Sequence, residues 1–106
     1  MKRTFDRSTV DVEITINAHD NISHGRLENI SMGGLFAITD SRISVKENDT
    51  AVITIPLPEG AQKAGIVVTG MVTRINEKGV AFRFLETDLD TLRSLFYLLY
   101  RSNSNI

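Results

Sequence analysis

Residues 10–16 read Val-Asp-Val-Glu-Ile-Thr-Ile, apolar and polar in unbroken alternation. Successive side chains of an extended chain point to opposite faces, so Val10, Val12, Ile14 and Ile16 share one side of a half-buried strand. The chain then returns to short β-rich runs. These are Ser23–Ile30, interrupted by Gly25, then Leu35–Thr39, Ala51–Leu57, Ala64–Ile75 and Val80–Leu85. Turn signals separate them: Asn17 to Asn21, a charged loop from Asp40 to Asp49, Glu59 to Lys63, and Asn76-Glu77-Lys78-Gly79. Pro56 has no N–H and belongs at an edge or a strand end, and Gly70 inside the fifth run predicts a bulge or bend. Only the last element changes period. Leu89, Leu92, Leu95, Phe96 and Leu99 recur at helical spacing. Thr87 or Asp88 can cap that helix, Asp90 opposes the positive end of its dipole, and Arg101 sits near its other end. Six short strands followed by one helix predict a mainly β fold, a small six-stranded antiparallel β-barrel with a C-terminal α-helix against it. Tyr97, Leu98 and Tyr100 fall off the main helical stripe, which fits either a broad core face or a helix that also meets a second subunit or partner protein.

At 106 residues there is room for one core and not two. The expected layout is a basic arm over 1–8, the barrel and helix over 9–101, and a polar tail over 102–106. A net charge of −1 argues against a general nucleic-acid binder. No cysteine is present, so disulfides and cysteine-ligated zinc are excluded. No apolar signal core follows the N-terminus and no run approaches membrane-spanning length, so a soluble cytoplasmic protein is expected.

Two stretches carry chemistry. In Asn29-Ile-Ser-Met-Gly-Gly34, Asn29 and Ser31 are two apart and share a face of an extended chain. Gly33 and Gly34 then allow positive φ, or let a ligand or another backbone come close. This suits either a ledge for a planar hydrogen-bonding ligand or an Asx-type turn closing a hairpin. The arm carries Arg3-Thr-Phe-Asp-Arg7 behind Lys2. Two guanidiniums can fork onto phosphate or onto guanine O6 and N7, and a solvated basic terminus is the plain alternative. Elsewhere the chemistry is thin. His19, Asp20 and His24 read as surface residues, not a metal set. Ser31 lacks the setting of a nucleophile. Glu86, Asp88 and Asp90 suit a helix N-terminus better than acid–base catalysis. No enzyme activity or cofactor is expected.

Arg-x-x-x-Arg, a strand, then Asn-x-Ser-x-x-Gly, in that order, resembles the PilZ domain family of bacterial cyclic di-GMP receptors. Gly34-Leu35-Phe36 resembles the strand after the family's second motif. Val72-Thr73-Arg74 and Gly79-Val80-Ala81-Phe82 resemble its late hairpin. The resemblance implies a six-stranded antiparallel barrel of the split-barrel type with a C-terminal helix. It implies cyclic di-GMP as ligand, with Arg3 and Arg7 wrapping phosphates and guanines, Asn29 and Ser31 hydrogen-bonding guanine, and Gly33 and Gly34 permitting close approach. Family members bind one ligand or a stacked pair, and Lys2, just before the first Arg, tilts the expectation to the pair. Asn29 is within the family's pattern, but a carboxylate there would pair well with guanine N1–H and N2–H. The implied function is a stand-alone receptor that signals by ordering its arm and changing its contacts with a protein partner or second subunit. A nucleotide-independent adaptor on the same fold ranks second, and a small-barrel binder of single-stranded nucleic acid third.

Overall fold

The computed structural model describes residues 8–39, 45–57 and 65–103. Six strands and one helix follow in chain order: β1 (Ser8–Ala18), β2 (Asn21–Ile30), β3 (Gly34–Ile38), β4 (Thr50–Pro56), β5 (Gly65–Ile75), β6 (Gly79–Phe84) and α1 (Leu89–Asn103). Every paired neighbour is antiparallel, and the order β1-β2-β3-β6-β5-β4 closes on itself. The closing ladder, β1 to β4, has three rungs: Thr15 to Thr54, Ile16 to Ile53 and Asn17 to Val52. The alternation along the sequence has become the wall of a cylinder. Ile14 and Ile16, Ile53 and Ile55, Ile66 and Val68, and Val80, Phe82 and Phe84 fill its interior at every second position.

The turns follow from their residues. His19 and Asp20 both take positive φ, 54° and 65°, and join Ala18 to its ladder partner Asn21. Two successive left-handed residues give the primed turn whose twist matches that of the strands it links. In the β5–β6 turn, Asn76 Oδ1 accepts from the N–H of Lys78 at 2.8 Å and of Gly79 at 3.1 Å. Pro56 ends β4, as a residue without an N–H should.

Gly70 does not mark the predicted irregularity. It pairs in register with Ala51 on one side and Phe84 on the other. Its side of the strand is buried, and a Cβ there would press to 3.1 Å on both Ile53 and Phe82. The bend comes three residues later. The β5–β6 ladder steps from Val72–Phe82 to Arg74–Ala81 and skips Thr73. A second such step lies on β2, whose ladder to β3 passes from Leu27–Ala37 to Asn29–Phe36 and skips Glu28. A third lies on β1, whose ladder to β2 passes from Thr9–Asn29 to Val12–Leu27, three residues against two.

Asp88 is the cap of α1: the Thr91 N–H donates to its Oδ1 at 2.8 Å, and the Leu92 N–H to its main-chain oxygen at 3.0 Å. The expected apolar face of the helix is narrower than the sequence suggests. Leu95 is fully buried at the barrel, but Leu89 and Phe96 are 66% and 63% exposed. Their helical spacing is real, but the stripe is wider than the barrel can cover. Leu99, like the tail from 104 onward, lies outside the described side chains.

His19 Nε2 lies 2.9 Å from Asp49 Oδ2, and the Lys46 N–H donates to the same oxygen at 2.8 Å. This ties the β1–β2 turn to the segment entering β4. The bond to His19 first, and the Lys46 N–H second, hold the Asp49 carboxyl below its ordinary value of 3.8. A lowered folded-state value means that the carboxylate's contribution to stability is present above pH 3.8 and is lost as pH falls through the folded-state value below it. The melting temperatures of wild type and Asp49→Asn should therefore differ near neutrality and converge in acid below that point. A gap that stays constant into acid would refute the tie. In the core, Leu95→Ala should cost about 2–5 kcal/mol by denaturant melts, while Leu89→Ala should stay within about 0.5 kcal/mol.

Candidate functional site

The register of the barrel lays one row of residues across its outer surface. Thr9 faces Asn29, Asn29 faces Phe36, Phe36 faces Ala81, and Ala81 faces Arg74. At about 4.8 Å per strand, Asn29 and Arg74 stand roughly 14 Å apart. Between them Ala81 offers only a methyl group. Phe36 is 8% exposed yet is not among the side chains of the barrel core. The alternation of β3 sends Leu35 and Ala37 inward and Phe36 out to the floor of this row. Over it lies a groove of about 680 Å³, walled by Glu28, Ser31 and Gly33 on one side and Thr73, Lys78 and Arg83 on the other. That volume is within the usual range for a small-molecule site.

The steps in β2 and β5 create the walls. A regular strand would put one of each adjacent pair inside. Because Glu28 and Thr73 are extra residues in their strands, Glu28 and Asn29 both face the groove, and so do Thr73 and Arg74. Thr73 fixes its own step by donating from Oγ1 to the Ala81 carbonyl at 3.3 Å. Three cations, Arg74, Lys78 and Arg83, and one carboxylate, Glu28, thus line one depression. None of these four side chains forms an ion pair among the described residues.

Asn29 and Ser31, which the sequence offers as a pair, do different work. The Ser31 Oγ accepts from the Gly33 N–H at 3.2 Å and lies 3.4 Å from the Gly34 carbonyl, to which the Ser31 N–H donates at 2.8 Å. Ser31 therefore closes the β2–β3 turn and keeps one lone pair for a ligand. The Asn29 Oδ1 is buried and has no hydrogen-bond partner among the described residues. A buried acceptor left unmade costs about 1–3 kcal/mol, so a ligand that donates to it recovers that energy.

The two glycines also part company. A Cβ on Gly34 would run into the Phe82 main-chain oxygen, so Gly34 is bare because β6 passes against it. At Gly33 nothing lies within 4 Å of an added Cβ. The close approach at Gly34 is that of another backbone, whereas the space at Gly33 opens on the groove. Lys2, Arg3 and Arg7 lie outside the described residues. The strand that leads from them begins at Ser8, opposite Ile30, one step from the Thr9–Asn29 pair.

The family model of the PilZ domain matches residues 1–101, and the chain belongs to that family. Solved structures agree on the fold. The PilZ domain of YcgR from Escherichia coli, with c-di-GMP, superposes with a TM-score of 0.79 at 16% identity, over 99% of this chain and 94% of that one. The Bacillus subtilis inhibitor of motility MotI/DgrA gives 0.78 at 18% identity; it aligns with the whole of this chain, which spans only 53% of MotI. The PilZ domain of CeSA from a cellulose-synthesizing bacterium gives 0.72 at 18% identity, over 90% and 95%. No curated protein matches by sequence.

Glu28, Thr73, Arg74, Lys78 and Arg83 are the groove residues that motif reading passes over. One signal was available. Leu27 and Ile30 are both apolar with two polar residues between them, which breaks period two and marks a bulge. Gly34→Ala should lower stability by about 2–4 kcal/mol in a urea melt, because the obstacle is main chain and cannot swing aside. Gly33→Ala should melt within about 1 kcal/mol of wild type.

Proposed function

We propose that this chain is a cyclic di-GMP receptor whose ligand lies along the Asn29–Arg74 row and is clasped from above by Arg3 and Arg7. The observation that carries the reading is the buried, unpartnered Asn29 Oδ1 at the lip of a cation-walled groove. Membership of a family that binds this ligand supports the ligand's identity, and YcgR offers a PilZ domain holding it. The chemistry agrees. Cyclic di-GMP brings two phosphates for Arg74, Lys78 and Arg83, and guanine N–H donors for Asn29. Arg7 is bonded to Ser8, and Arg3 is five residues from it, within about 17 Å of extended chain. Both guanidiniums can therefore reach a ligand at Asn29.

Binding neutralises the like charges of Lys2, Arg3 and Arg7 and gives the arm a surface to fold against. That ordered arm is the signal, passed to a protein partner or a second subunit. With Lys2 ahead of Arg3, a stacked ligand pair is the proposed stoichiometry. A second reading, a protein-interaction adaptor that binds no nucleotide, draws on the exposed Leu89 and Phe96 of α1.

Titration calorimetry with cyclic di-GMP separates these. Wild type should bind with two ligands per chain, and Arg7→Ala and Asn29→Ala should each bind at least about tenfold more weakly. No heat from wild type at tens of micromolar protein would leave the adaptor reading. Unchanged affinity in Arg7→Ala would remove the arm from the site.

A further inference from the structure

Glu28 is an anomaly in its setting. A groove walled by Arg74, Lys78 and Arg83 attracts phosphate, and a carboxylate among them repels it. The β2–β3 ladder skips Glu28, on its other side it stands opposite the step between Thr9 and Val12 of β1, and no ion pair among the described residues engages it. The half-buried Glu28 nevertheless faces the groove beside Asn29, because the step in β2 turns the two neighbours the same way.

We propose that Glu28 is the specificity-determining residue of the groove and takes the Watson–Crick edge of a guanine. An ionised carboxylate only accepts hydrogen bonds. It is tolerated in an anion site where the ligand presents N–H groups to it. Guanine offers two adjacent donors, N1–H and N2–H, which match the two carboxylate oxygens as the two prongs of a guanidinium do. The second N2–H is left for the Asn29 Oδ1, which has no other partner among the described residues. Adenine sets its N1 lone pair beside a single amino donor and would bring that lone pair against a carboxylate oxygen. Glu28 therefore admits guanine and turns adenine away, while the three cations hold the phosphates of either.

This assignment rests on the nucleotide-receptor reading, and the experiment distinguishes the two. Wild type, Glu28→Gln and Glu28→Ala are titrated by calorimetry with cyclic di-GMP, cyclic di-AMP and cyclic di-IMP, whose hypoxanthine keeps N1–H but lacks the 2-amino group. Thermal melts check that the variants fold. Wild type should prefer cyclic di-GMP to cyclic di-IMP by about tenfold or more and reject cyclic di-AMP. Glu28→Ala should bind cyclic di-GMP about 5- to 150-fold more weakly, the worth of a two-pronged pair. Its preference over cyclic di-IMP should shrink several-fold, and Glu28→Gln should fall between. Equal or tighter binding of cyclic di-GMP by a folded Glu28→Ala overturns the assignment and leaves the groove a nucleotide site. So does a loss equal for both ligands, which is what a merely structural bulge residue would give. No binding by wild type overturns the receptor reading itself, and this assignment with it.

Discussion

Six strands make a tight cylinder, and a flat pleated sheet cannot close so soon. Strands must coil and bend for β1 to meet β4, and extra residues in a strand supply the bend. Here the steps at Glu28 and Thr73 do this on two strands that flank β3 and β6. Closure buries one continuous core, from Ile14 on β1 to Phe84 on β6 and Leu95 on α1. The same steps rotate Glu28, Asn29, Thr73 and Arg74 to the outside as adjacent pairs. The device that closes the wall is thus the device that builds the groove.

The groove is made of unequal parts. Its floor, Phe36 and Ala81, is ordinary strand, and Gly34 is held bare by the passing backbone of β6. Ser31 is spent mostly on the turn it closes. What remains uncommitted is polar: the Asn29 amide oxygen, the Glu28 carboxylate and three cationic heads. A site of this kind has little affinity for apolar matter. It suits a ligand that brings both anionic oxygens and N–H donors.

Much of this was legible in the sequence, for reasons that can be stated. Val10–Ile16 announces its strand because half-burial and pleat share a period of two. Asp88 announces its helix because an orphan N–H needs an acceptor. The motif at Asn29–Gly34 could be located, but its division of labour could not. Ser31 is taken up by a local turn whose bonds show only in the folded backbone, and whether Gly34 makes way for a strand or a base depends on what β6 does fifty residues later. Arg74 and Arg83 joined the site for the same reason, since strand order brings them there. Gly70 misled because a buried glycine that makes room for Phe82 looks, in sequence, like one that bends a strand. Leu89 and Phe96 misled because spacing reports a face and not how much of it is covered.

An extra residue in a strand answers to no partner in the ladder that skips it. The half-buried Glu28 has no ladder partner on β3 and no ion pair among the described residues. Its side chain is therefore less bound by strand pairing than those of its neighbours Leu27 and Asn29. Inherited change at such a position can rewrite what the groove accepts without endangering the fold that carries it. The bulge is in this sense a hinge in sequence space, where one architecture can be adapted to different ligands one substitution at a time.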